Sequence, residues 1–121
     1  MPINKVLIVE DDRAQLIQLQ QIVADGGYVT TTAMNGADGI ERAKSEKPDV
    51  ILMDINMPGM DGFAAIRVLK KDEATKHIPV IFVSSKNQKA DMVWAKMQGS
   101  AGYVAKPYAH EEILTVLSQL A

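Results

Sequence analysis

Val50–Gly62 reads V-I-L-M-D-I-N-M-P-G-M-D-G, and the reading of this stretch decides the fold. Four consecutive apolar residues, Val50 to Met53, suit a strand buried on both faces, as at the centre of a parallel sheet. The Pro58-Gly59 pair interrupts the chain just beyond, so Asp54 falls at the strand's carboxyl end, at the mouth of a loop. Open α/β sheets bind their ligands at that end of the strands. An ionisable carboxylate in that position calls for a chemical explanation.

The flanking sequence repeats the pattern. Upstream, K-V-L-I-V (Lys5 to Val9) predicts a strand that ends on three acids, Glu10-Asp11-Asp12. Leu16, Leu19 and Val23 recur at helical spacing before Gly26-Gly27 stops the helix. The β-branched run Y-V-T-T-T-A (Tyr28 to Ala33) predicts a second strand, and Ala37, Ile40 and Ala43 a second helix before Pro48. Downstream of Asp54, Phe63, Ile66 and Leu69 mark a helix from about Asp61 to Lys71, followed by a polar loop over residues 72–78. P-V-I-F-V (Pro79 to Val83) predicts a fourth buried strand closing on Ser84-Ser85. Ala90, Val93, Trp94 and Met97 give a fourth helical stripe, with Met97 expected against the sheet and Trp94 on the flank. Gly102 to Ala105 predicts a short fifth strand running into Lys106-Pro107, and Ile113, Val116, Leu117 and Leu120 mark the last helix.

Five βα units in succession require right-handed crossovers and therefore a parallel sheet with helices on both faces. The expected fold is α/β: a flavodoxin-like, doubly wound five-stranded parallel sheet in the order 2-1-3-4-5, with five helices. At 121 residues the chain has the length of one domain. A net charge of −2 gives no electrostatic case for nucleic acid or an anionic membrane surface. No apolar run approaches the ~20 residues of a membrane span, and the absence of cysteine excludes disulfides and thiolate metal sites. Met1-Pro2-Ile3-Asn4-Lys5 lacks the layout of a signal peptide, which leaves the cytoplasm as the expected compartment.

In such a fold the carboxyl ends of all strands share one edge. Glu10 and Asp11 follow the first strand, Asp54 the third, Ser84 the fourth and Lys106 the fifth. Taken singly, each has an ordinary role: an acid in a strand-to-helix loop is usually a helix N-cap, the role expected of Asp12. Together they place three carboxylates, a hydroxyl and an ammonium at one point. Two carboxylates about 4 Å apart repel by roughly 4 kcal/mol at an effective dielectric near 20, so three need a cation. Oxygen ligands alone select a hard ion, Mg²⁺ or Mn²⁺. A carboxylate nucleophile beside such an ion, with a hydroxyl and a lysine, is equipped for phosphoryl transfer onto Asp54.

With these motifs in place, the chain resembles the bacterial response-regulator receiver domains, the CheY-like superfamily. The resemblance covers V-L-I-V-E-D-D, D-I-N-M-P-G-M-D-G, P-V-I-F-V-S-S and G-Y-V-A-K-P in order. It implies that Asp54 is the phosphoacceptor for a histidine kinase. It also implies that Asp11 and Asp54 bind Mg²⁺ directly, Glu10 through water and Asn56 through its backbone carbonyl. Ser84 and Lys106 take the catalytic hydroxyl and ammonium positions, Ser84 and Tyr103 form the switch pair, and Lys106-Pro107 is a cis peptide. The signal would leave through the face made by the fourth helix, fifth strand and fifth helix. The chain ends one helix after Lys106, so a single receiver domain over residues 1–121, with no separate output domain, is expected.

Within the superfamily, S-S-K-N-Q and M-V-W-A-K-M-Q-G resemble the PilH-like regulators of type IV pilus twitching motility, which implies a sensor kinase of chemosensory type. Ile55 and Lys86 depart from the flagellar chemotaxis pattern, where a tryptophan and an acid are familiar. The alternative reading is a small Mg²⁺-dependent phosphatase or phosphotransferase with Asp54 as nucleophile. Haloacid-dehalogenase-type enzymes, however, carry a second Asp at the position of Asn56 and a cap insertion that this chain lacks. A flavin module is disfavoured by the three acids after the first strand, which would repel its phosphate.

Overall fold

The computed structural model describes residues 3–120. The chain runs β1 (Lys5–Val9), α1 (Arg13–Asp25), β2 (Val29–Ala33), α2 (Gly36–Glu46), β3 (Val50–Met53), α3 (Gly62–Lys71), β4 (Val80–Ser84), α4 (Lys89–Met97), β5 (Gly102–Ala105) and α5 (His110–Gln119). All neighbouring strands pair in parallel in the order β2-β1-β3-β4-β5, the order predicted from the five βα units.

Register follows from burial. All four residues of β3 and all five of β4 are buried, so both strands lie inside the sheet with helices on each side. Alternation sorts their side chains into two cores. Ile51, Met53 and Phe82 face α2, α3 and α4, meeting Ile40, Ala43, Ile66 and Leu69. Val50, Leu52, Ile81 and Val83 face α1 and α5, meeting Leu16, Leu19, Val23, Ile113 and Leu117. Each such side chain, fully buried, contributes about 1.5–3 kcal/mol relative to exposure.

Three of the helices, α1, α2 and α3, start at an N-cap side chain that accepts a first-turn N–H. Asp12 Oδ1 accepts the Gln15 N–H at 3.1 Å, Asn35 Oδ1 the Asp38 N–H at 2.8 Å, and Asp61 Oδ1 the Ala64 N–H at 2.8 Å. Asp12 thus has the expected capping role. The polar segment after α3 is not simply solvated: Thr75 is fully buried and its hydroxyl donates to the Leu69 carbonyl at 2.7 Å, closing the end of that helix.

One expectation fails at α4. The stripe predicts Met97 against the sheet, yet Met97 is 70% exposed, and Val93 and Trp94 are 51% and 45% exposed. Ala95 is the buried residue of this helix. A small residue lets α4 approach the sheet closely, and its larger apolar side chains are turned outward.

Candidate phosphoryl-transfer site

The Val9–Met53 register between β1 and β3 ends both strands level, and the Asp54 N–H donates to the Val9 carbonyl at 3.0 Å. Glu10 and Asp54 are therefore side by side on leaving the sheet. Asp11 follows, and one carboxylate oxygen from each of Glu10, Asp11 and Asp54 lies within 4.8 Å of the others. Across the sheet, Ser84 pairs with Ala105, and the Lys106 N–H donates to the Ser84 carbonyl at 2.8 Å. That placement sends the Lys106 side chain back over β3. Its ammonium lies 2.7 Å from Glu10 Oε1 and 3.3 Å from Asp54 Oδ2. The Lys106-Pro107 peptide is cis.

Asp54 and Glu10 are almost wholly buried, at 8% and 3% exposure, so their charges are strongly felt. The Ile55 N–H donates to Asp54 Oδ1 at 2.7 Å, leaving Oδ2 toward Lys106. Glu10 Oε2 accepts the Asp12 N–H at 3.1 Å. Burial holds the Glu10 carboxyl above its ordinary range; the Lys106 and Asp12 hydrogen bonds work against this shift, and the Asp54 charge adds to it. Burial pulls Lys106 down, but the bond to Glu10 and the charges of Asp54 and Glu10 outweigh it, so its ammonium is held above the usual lysine value. The Glu10 shift reports burial, and the Lys106 shift reports the negative charge gathered around its ammonium.

The donor set suits a divalent ion. Oxygens about 2.1 Å from Mg²⁺ stand up to roughly 4.2 Å apart across an octahedron, so the three carboxylates fit with a slight contraction or an intervening water. No cysteine or histidine contributes to the cluster, which keeps the preference for a hard cation.

Ser84 is fully buried, and its hydroxyl accepts the Lys86 N–H at 3.2 Å. Tyr103 packs on Phe82 at a centroid distance of 6.3 Å and donates its hydroxyl hydrogen bond to the Lys86 carbonyl. Burial raises its phenol pKa, the Ser84 hydrogen bond opposes this, and the Asp91 and Asp54 charges reinforce it. Ser84 and Tyr103 thus meet at Lys86, the first turn of the β4–α4 loop. Asn56 lies exposed in the loop two residues beyond Asp54. Met57 is buried and Met60 packs against the same core, so the loop is anchored from within.

One site residue escaped the sequence reading. Gln15, in the first turn of α1, accepts from the Lys106 ammonium through Oε1 at 2.5 Å. Its place was legible in principle: an N-cap at Asp12 puts residue 15 at the third helical position, whose side chain turns back over the helix start.

The profile of the response regulator receiver domain matches residues 6–118. The chain belongs to the response regulator receiver family. It is 44% identical over 114 residues to protein PilH of Pseudomonas aeruginosa, covering 94% of each chain. It is 34% identical over 104 residues to the polar-differentiation response regulator DivK of Brucella anthropi, covering 86% of this receiver and 85% of that one. Among solved structures, the Vibrio cholerae chemotaxis protein CheY4 superposes with a TM-score of 0.91 at 27% identity, over 98% of this chain and 99% of that one. The receiver is therefore a CheY-like domain of two-component signalling, and no helix among the described residues is long and apolar enough to cross a membrane.

Proposed function

We propose that this receiver is a phosphorylation-driven switch in which Asp54 accepts a phosphoryl group from a histidine kinase. The observation that carries the reading is the convergence of Glu10, Asp11, Asp54 and Lys106 at the mouth of the sheet. In the step, an Asp54 carboxylate oxygen attacks phosphorus, the donor's N–P bond breaks with its electron pair on the ring nitrogen, and the imidazole leaves neutral after taking a proton from water. Asp54 is the nucleophile and needs no general base, since a carboxylate has no proton to lose. The Ile55 N–H fixes the carboxylate by binding Oδ1. Lys106 stabilises the charge that spreads over the phosphoryl oxygens, and Ser84 offers them a hydroxyl. Magnesium, held by Glu10, Asp11, Asp54 and the Asn56 carbonyl, would neutralise surplus negative charge on the carboxylates and on the phosphoryl group.

The signal leaves through Ser84 and Tyr103. If Ser84 turns to a phosphoryl oxygen, its bond to the Lys86 N–H is lost, and the Tyr103 bond to the Lys86 carbonyl is disturbed with it. The segment these bonds hold leads into α4, whose exposed Val93, Trp94 and Met97 give a partner an apolar surface beside β5 and α5. The resemblance to protein PilH supports a role in pilus-dependent twitching or chemotaxis-like motility in the cytoplasm, with a chemosensory-type kinase.

Intact-mass measurement after incubation with a small acyl phosphate tests the reading. Wild type gains one Mg²⁺-dependent phosphoryl adduct, and Asp54→Asn gains none. An adduct that persists in Asp54→Asn sinks the assignment, and multiple turnover on simple phosphate esters favours a phosphatase instead.

A further inference from the structure

We infer that Gln15 is a positioning residue: it holds one proton of the Lys106 ammonium and so aims that group across the carboxylate pocket. An ammonium has three N–H donors, and Lys106 gives each an acceptor: Gln15 Oε1 at 2.5 Å, Glu10 Oε1 at 2.7 Å and Asp54 Oδ2 at 3.3 Å. Two of these acceptors leave the sheet at its centre, and the third comes from α1. Folding makes no demand for glutamine at this position. The residue is exposed, and its tie to Asp12 is made by the main-chain N–H, which nearly any residue supplies.

The neutrality of the amide matters. A carboxylate at position 15 would add a fourth negative charge beside Glu10, Asp11 and Asp54, whereas an apolar side chain would surrender the third N–H to water. Gln15 satisfies the proton without deepening the repulsion. The Asp54 bond is the longest of the three, so it is the one that yields when a phosphoryl group occupies Oδ2, and Glu10 and Gln15 keep Lys106 in place. An open groove lined by Gln15, Lys106, Pro107 and Tyr108 gives the pair access to solvent. The last step rests on the reading of Asp54 as phosphoacceptor; the resting-state hold does not.

Two variants test it, Gln15→Met, which keeps the length but removes the acceptor, and Gln15→Glu, which keeps the acceptor. In ¹⁵N-labelled protein with chelator, the Lys106 ammonium exchanges its protons slowly, Gln15→Met speeds that exchange about fivefold through loss of one hydrogen bond, and Gln15→Glu stays slow. Gln15→Met also slows phosphoryl uptake from a small acyl phosphate at saturating magnesium by a similar factor. Unchanged exchange in Gln15→Met, or equal acceleration in both variants, overturns the inference. Faster exchange with unchanged uptake overturns it as well, because the hold would then not serve the reaction. A wild-type protein that takes up no phosphoryl group refutes the reading of Asp54 and leaves the exchange result standing.

Discussion

Replacing Asp11 by asparagine should make the metal-free protein more stable and the magnesium-bound protein less so. Among the described residues the Asp11 carboxylate has no hydrogen bond or ion pair, while it stands within 4.8 Å of both Glu10 and Asp54. At that distance each pair of unit charges repels by about 3.5 kcal/mol at an effective dielectric of 20. Asp11 is half-buried, so water and salt screen most of this, and a net gain of about 1–2 kcal/mol on removing the charge is expected. For a domain of this size the gain appears as a rise in melting temperature of roughly 3–8 °C in chelator. With magnesium at a hundred times its dissociation constant, wild type gains about 2.7 kcal/mol, and most of that is lost in Asp11→Asn. The order of stabilities should therefore invert between chelator and magnesium. Urea unfolding of both proteins under both conditions measures it. An Asp11→Asn protein less stable than wild type in chelator, or one with the full wild-type response to magnesium, refutes the electrostatic account of the pocket.

Glu10 supplies a pH signature. Its carboxyl is held above the ordinary 4.5 by burial, so the folded state binds its proton more tightly than the unfolded chain. That contribution is complete below the unfolded value and is lost as pH rises through the folded one; in chelator, wild type should decline relative to Glu10→Gln from about pH 4.5 toward neutrality. Parallel stability profiles for the two proteins would exclude it. Gly62→Ala should lose roughly 1–3 kcal/mol or more by overpacking, because its new Cβ falls 2.5 Å from the Asp54 carbonyl oxygen and 2.8 Å from Ile55 Cα; chemical denaturation reads the loss, and a neutral substitution contradicts the close approach. Trp94→Ala should cost no more than about 1–2 kcal/mol, short of the roughly 3–5 kcal/mol of a core tryptophan, and Trp94, 45% exposed, should be quenched by acrylamide; a core-sized loss of stability or a shielded indole would place the side chain in the core.

Most of the scaffold was legible because each buried strand is an unbroken apolar run with its chemistry placed just after it. Val9 is followed by Glu10 and Asp11, Met53 by Asp54, and Ala105 by Lys106, so a parallel sheet brings them to one edge whatever the details of packing. Ser84 was legible for the same reason, although it closes β4 rather than following it. Two features were not. Apolar residues at positions 90, 93, 94 and 97 define one side of a helix, but periodicity does not say whether that side meets the sheet or the solvent; Ala95 decided it, by allowing α4 to dock on a small residue. The Asp12 cap fixes the place of Gln15 at the third helical position, but a polar residue in a first turn is ordinary, and nothing local points to its partner Lys106, 91 positions away.

The two flanks of the Asp54 loop are held in different ways. On one, Gly62 seats α3 directly on the Asp54 turn, and its N–H clamps the Ile55 carbonyl at 2.8 Å. On the other, α4 anchors to the sheet through Ala95, and Lys86 ahead of it is tethered by two side-chain hydrogen bonds. A displacement at Asp54 would therefore meet close backbone contact on the first flank and breakable side-chain hydrogen bonds on the second. If Asp54 accepts a phosphoryl group, mounting of this kind would act like a lever with a fixed fulcrum, directing a small push at the carboxylate toward the β4–α4 side.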